Sequence, residues 1–218
     1  IKMNYLGKKF DRNLLVFFDE IQACPDLLTS LKFLKEDFPS DIICSGSLLG
    51  VALKKTTSFP VGYIEKLNMY PISFKEFLWA LNVDQDMIDK IYDAMDSYKP
   101  LSEVLHDAFN ELFKKYVVIG GMPEVVETYI KSGSFAEALK IQRRIADDYL
   151  LDMVKYASGS EGEKIRECFA SVPLQLAKEN QKFQYSLVKK GYNARYYDNS
   201  LSWLSDAGII IKLNRISK

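Results

Sequence analysis

The sequence is poor in metal-binding and redox residues. It has one histidine, His106, and three cysteines, Cys24, Cys44 and Cys168, in 218 residues. No two cysteines lie close together, so a Cys/His zinc site is not expected. Unpaired cysteines in mostly apolar flanks suit a reducing compartment, and a cytoplasmic setting is expected. No run approaches the roughly 18 apolar residues that would read as a membrane-crossing helix. The opening residues Ile1-Lys2-Met3-Asn4 lack the charged leader and apolar stretch of a signal peptide. Charge of one sign is lacking too: 29 basic residues balance 29 acidic ones. That balance excludes global attraction to nucleic acid or to a membrane and leaves only local patches. Internal repeats and low-complexity segments are missing.

What remains is ordinary globular material. Hydrophobic residues make up 48% and charged residues 27%, enough to build a core. At about 150 residues per domain, one or two domains are expected.

The first clear element is the apolar run Leu14-Leu15-Val16-Phe17-Phe18, which suits a short strand buried on both faces of a parallel sheet. Asp19-Glu20 follows it. Pro25-Asp26 opens a helix whose apolar residues Leu27, Leu31, Leu34 and Phe38 recur at helical spacing, and Pro39-Ser40 ends it. Asp41-Ile42-Ile43-Cys44 reads as a second buried strand, followed by Ser45-Gly46-Ser47. Strand, helix and strand with short links make a βαβ unit. Residues 48–60 read as a polar loop or broken helix, and 61–69 as a third strand. Ser73 caps a helix through residue 82, with Glu76 completing a capping box.

Residues 83–157 read as helical throughout. Leu105, Phe109, Leu112, Phe113 and Tyr116 form one stripe. Gly120-Gly121-Met122-Pro123 breaks it and starts a new helix. Residues 134–156 form a long helix with Ala138, Ile141, Ile145, Tyr149, Met153 and Tyr156 inward. Ser158-Gly159-Ser160 is a break. Beyond it come a helix through Ile165, Phe169 and Leu176, a short helix near 186–190, a longer one over 194–207, and a strand over 209–213. That order is the order of a winged helix.

The acids after the first strand carry the most chemistry. The C-terminal edge of a parallel sheet is where ligand-binding groups converge. Adjacent acids after an apolar run form the Walker B pattern of ATPases. In that reading Asp19 holds Mg²⁺ through water, and Glu20 orients or deprotonates the attacking water. A strand end followed by solvated acids fits the same letters. The next strand ends in Ser45 and Ser47, where a small polar sensor group would meet the γ-phosphate or the water. An ordinary Ser-Gly-Ser turn fits these residues as well.

LLVFFDEIQ, IICSGS, PVGYIEKLNMYPISFKEFL, GGMPEVVE and RRIADDYLLDMVKY occur in that order. Together with QKFQYSLVKKGYNARYYDNSLSWLSDAGIIIKL they cover nearly the whole chain. They resemble the prokaryotic AAA-type, STAND-like ATPases that carry a C-terminal domain of unknown function. The resemblance implies an α/β fold, mostly α overall: a truncated parallel-sheet P-loop NTPase core over 1–82, a helical lid over 83–157, and a winged-helix-like start of the C-terminal domain over 158–218. It implies ATP and Mg²⁺ as cofactors of the parent protein. Asp19 and Glu20 match the Walker B pair, and Ser45 and Ser47 the sensor turn. Gly120, Gly121 and Pro123 match a lid motif that packs near the nucleotide in relatives; a simple helix break fits them too. Arg143 and Arg144 are candidate cations for phosphate charge, or part of a solvated helix face.

The departures are as informative. No G-x-x-x-x-G-K-S/T phosphate loop occurs in these residues, and Gly7-Lys8-Lys9 does not supply one. The family places that loop well upstream of the acidic pair, so it is expected to lie outside this stretch. The family often has Gly-Arg where Gly62-Tyr63 stands here, and no nuclease carboxylate cluster is readable. Without phosphate-loop amides and lysine little remains to hold the β- and γ-phosphates. The chain alone is therefore expected neither to bind ATP tightly nor to hydrolyse it, the parent acting as a nucleotide-driven conformational switch.

A second reading is a DNA- or protein-binding winged-helix module without catalysis. Lys182, Lys189, Lys190 and Arg195 interleave with Tyr185, Tyr192, Tyr196 and Tyr197, a mix that can meet phosphates and bases. Core tyrosines with solvated lysines are the plainer account. A third reading is a fragment without activity of its own, whose open sheet edge invites homo-oligomers.

Overall fold

The sequence patterns are borne out most clearly where a proline or a cap marks a helix start. In the computed structural model, which describes residues 13–46, 62–156, 159–180 and 182–213, β1 (Leu15–Phe18) leads through a 3-10 turn (Ile21–Ala23) into α1 (Pro25–Asp37) and β2 (Asp41–Cys44). The strands are parallel, with Leu15 opposite Asp41 and Phe18 opposite Cys44. The described residues pack as two units. Those up to Lys66 group with those from Met153 on, and Leu67–Asp152 form the other. The described residues are mostly helical, and their sheet is two-stranded.

In the first unit, Ile21, Leu28 and Leu31 are buried, with Phe18, Leu27, Leu34 and Cys44 packed against them. This places α1 over one face of the strand pair. Burial pushes the Cys44 thiol pKa up. The other face carries Leu15 and Phe17, which are 58% and 56% exposed. The expectation of a strand buried on both faces is thus met on one face only, because α1 covers one side.

The same unit holds α7 (Ser160–Leu176), α8 (Tyr185–Val188) and α9 (Ala194–Asp206). Helices α7 and α9 pack closely, and Ile165, Cys168, Tyr197, Leu201 and Leu204 are buried. Gln175 staples the end of α7 to the following loop: its amide donates to Ser171 Oγ at 2.8 Å, and its carbonyl accepts from Gln184 N at 2.7 Å. The strand expected over 209–213 is not formed. Residues 210–213 have no regular structure, and Ile211 and Leu213 lie exposed. A strand needs a partner for its backbone groups, and among the described residues the sheet pairs only β1 with β2.

The second unit opens with residues 67–73, which carry no regular structure. The expected strand over 61–69 is therefore not formed where it is described, for the same want of a partner; Val61 and the 48–60 stretch lie outside the described residues. Helix α2 (Phe74–Ala80) begins as expected: Ser73 accepts from Glu76 N while the Glu76 carboxylate accepts from Ser73 N at 2.7 Å. Those hydrogen bonds, from the Ser73 backbone and then its hydroxyl, hold Glu76 below the usual carboxylate range. Helices α3 (Gln85–Ser97), α4 (Glu103–Ile119), α5 (Pro123–Ser132) and α6 (Phe135–Tyr156) follow. Neighbouring residues of α2 serve two cores. Phe77 joins Ile119, Val125, Val126 and Ala138, and Leu78 joins Ile88 and Phe109. Burying a side chain of that size contributes about 2 kcal/mol, so α2 is held by packing rather than by its short length. No described helix is long and apolar enough to cross a membrane.

Candidate functional site

The parallel register fixes where the strand-end residues meet. Because Phe18 stands opposite Cys44, Asp19 and Ser45 leave the sheet side by side. Ser45 N donates to Phe18 O at 2.9 Å, continuing the ladder by one rung. The Ser45 hydroxyl donates to Asp19 Oδ1. The same carboxylate oxygen accepts from Glu20 N at 3.1 Å. Asp19 and Glu20 are exposed and Ser45 is half-buried.

The chain then reverses. Glu20 adopts a left-handed conformation, φ 50° and ψ 46°, which costs a non-glycine residue about 1 kcal/mol. The turn is tied down on both sides of that residue. Ile21 is buried, at 2% exposure, and its N–H donates to Ser45 O at 3.0 Å. Ala23 N donates to Glu20 O at 2.9 Å. The turn brings the Gln22 side chain to Glu20, and the Gln22 amide donates to the Glu20 carboxylate. Gln22 ends the motif LLVFFDEIQ, but the sequence alone assigns it no role: an amide two residues past an acid means nothing until the turn is seen.

Two exposed carboxylates and a hydroxyl are hard oxygen donors of the kind that suit Mg²⁺, which keeps several waters and uses one or two carboxylates. The described residues contain no cluster of three or more His, Cys, Asp or Glu able to cage a metal on protein ligands alone. Ser47 lies outside the described residues.

The glycine break belongs to the other unit. Gly120 ends α4 with φ 75°, a conformation glycine takes without strain. Gly121 meets the residues just before α2. Ile72 N donates to Gly121 O at 2.7 Å, and Tyr116 Oη donates to Ile72 O at 2.7 Å. A Cβ at Gly121 would sit 2.3 Å from Ile72 O, so a side chain is excluded by backbone. Burial, then the Glu76 charge, raises the Tyr116 pKa. Pro123 opens α5 at its first turn. Of the two candidate cations, Arg144 is ion-paired with Glu124, and Arg143 is exposed on the same helix.

In the tyrosine–lysine segment Tyr185 and Tyr192 are half-buried, while Tyr196, Lys182, Lys189, Lys190 and Arg195 are exposed. Tyr197 is fully buried, and its hydroxyl, 2.5 Å away, donates to Glu167. Lys189 pairs with the other Glu167 oxygen at 3.1 Å. The Tyr197 hydrogen bond, then Lys189, lowers the Glu167 pKa. The Lys164 ammonium lies 4.0 Å from the Tyr196 ring centroid, and the Tyr192 and Tyr196 rings are tilted by 54° with centroids 4.4 Å apart. Burial pushes the Cys168 thiol up to about 12.

Comparison with known proteins matches two stretches of the chain to family models. Residues 2–78 match the family model described as an AAA domain. Residues 110–218, half of the chain, match the Domain of unknown function (DUF8612). An uncharacterized protein of Haemophilus influenzae is 26% identical over 202 residues, covering 84% of this chain and 50% of that protein. The chain thus spans half the length of the curated relative it matches. No solved structure matches it.

Proposed function

The chain belongs to the family of the Domain of unknown function (DUF8612), and from that premise, with an AAA-type segment preceding that domain, we propose that it is part of an AAA-type ATPase that works as a nucleotide-driven switch. The reading is supported by the convergence of Asp19, Glu20 and Ser45 at the C-terminal edge of two parallel strands, with the Ser45 hydroxyl on the Asp19 carboxylate. In it, Asp19 holds Mg²⁺ through water, kept in one orientation by Ser45 and by Glu20 N. Glu20 orients the water that attacks the γ-phosphate and draws off its proton. Ser45, with Ser47, reports on the phosphate end. Bound Mg²⁺ supplies neutralisation of charge on the β- and γ-phosphates. Gly120, Gly121 and Pro123 form the lid break; their part in switching is to set the angle between α4 and α5.

These 218 residues contain no phosphate loop, so the chain alone is proposed to bind ATP weakly and not to turn it over. A cytoplasmic setting goes with this reading, and the cysteines are free. A DNA- or protein-docking role for a winged-helix-like 158–218 stands second, because Tyr197 and Lys189 are engaged internally with Glu167. The test is ATP hydrolysis by the full-length protein beside its Glu20→Gln variant. Turnover that collapses in the variant is expected. Equal turnover in both removes Glu20 from the chemistry.

A further inference from the structure

We propose that Gln22 is a positioning residue for Glu20, holding its carboxylate where the attacking water must be met. This rests on the ATPase reading and adds to it a residue that neither the acidic-pair pattern nor the sensor turn includes.

Three features of the turn converge on that contact. Glu20 is one of the described non-glycine residues with positive φ. A conformation that disfavours L side chains persists only when its surroundings fix it. Here they do so from β2 and from the core: Ile21 N is bonded to Ser45 O, and the Ile21 side chain is buried among α1 residues. The reversal brings residue 22 back over residue 20. The side chain placed there has an amide N–H, and it donates to Glu20 Oε2. Gln22 is itself half-buried, so it has fewer orientations than a surface amide, and its bond to Glu20 restricts an acid that is otherwise exposed. The same turn bonds Glu20 N to Asp19 Oδ1 at 3.1 Å. Ser45 thereby orients the first acid and Gln22 the second, and both are anchored to the end of β2. A base held within reach of its water needs no search at the moment of reaction, which is where positioning raises kcat rather than binding.

The test uses the full-length protein and steady-state ATP hydrolysis, with Gln22→Ala, Gln22→Met, Glu20→Gln and the Glu20→Gln/Gln22→Met double variant. Gln22→Met keeps the length and bulk of the side chain and removes its donor. Both Gln22 variants are expected to lose about tenfold in kcat with KM for ATP and melting temperature unchanged. In the Glu20→Gln background the Gln22→Met change is expected to cost nothing further, since the two residues act as a unit. Wild-type kcat in Gln22→Met overturns the proposal, whether Gln22→Ala retains activity or loses it through packing. A raised KM at unchanged kcat overturns it as well, and so do losses that multiply in the double variant. Absence of turnover in the wild-type protein fails the ATPase reading itself and takes this proposal with it, an outcome distinct from those.

Discussion

The strand-end acids and the glycine break are both short interruptions between apolar segments, yet they are held in opposite ways. Asp19, Glu20 and Ser45 are fixed by side-chain hydrogen bonds at an exposed sheet edge. Gly121 is fixed by backbone: Ile72 occupies the space any side chain would need, and the core of Phe77, Ile119, Val125 and Val126 surrounds the break. The difference teaches which residues are replaceable without unfolding. At the strand end, the proposed chemistry and stability are expected to come apart. At the break, the proposed switching and stability are expected to go together.

That contrast can be tested by equilibrium urea unfolding of the chain, following Trp79 in a Trp203→Phe background so that the second unit alone is read. Phe77→Ala is expected to have the largest effect, about 3–5 kcal/mol, from a side chain with no exposed surface. Gly121→Ala should follow at about 1–3 kcal/mol, the cost of forcing Cβ against the Ile72 carbonyl; a neutral result would mean that the Ile72 segment yields and the break is not clamped. Ser73→Ala should cost about 1 kcal/mol through loss of the N-cap. The cap also has a pH signature. Because Glu76 is held below its ordinary value of 4.5, its contribution is complete above that pH and is lost as pH falls through the lower folded value. A cap-dependent drop in stability on acidification, absent in Glu76→Gln, is the expected record. The smallest effect belongs to the strand end: Asp19→Asn and Ser45→Ala should each stay within about 0.5 kcal/mol of the parent when unfolding is followed by Trp203 in a Trp79→Phe background instead. A large destabilisation there would erase the contrast.

Much of this was legible in the sequence, and what was legible was local. Pro25 and Pro123 marked helix starts, and Ser73 with Glu76 spelled a capping box that forms as written. The meeting of Asp19 and Ser45 was readable because a strand, a helix and a strand in short order return the chain to the same edge. The apolar stretches over 61–69 and 209–213 misled, since alternation marks a strand only where another strand stands beside it. Gln22 and the Ile72–Gly121 contact were out of reach for a different reason. One depends on a left-handed turn at a residue that seldom takes one, and the other on an approach between segments far apart in the chain.

The most direct test is Mg²⁺-dependent ATP binding by the full-length protein, measured by titration calorimetry for wild type and Asp19→Asn. The account predicts that Mg²⁺ tightens ATP binding in the wild type and that Asp19→Asn loses this dependence at an unchanged melting temperature. Equal Mg²⁺-dependent affinity in both proteins, or no nucleotide binding by the wild type, would contradict it.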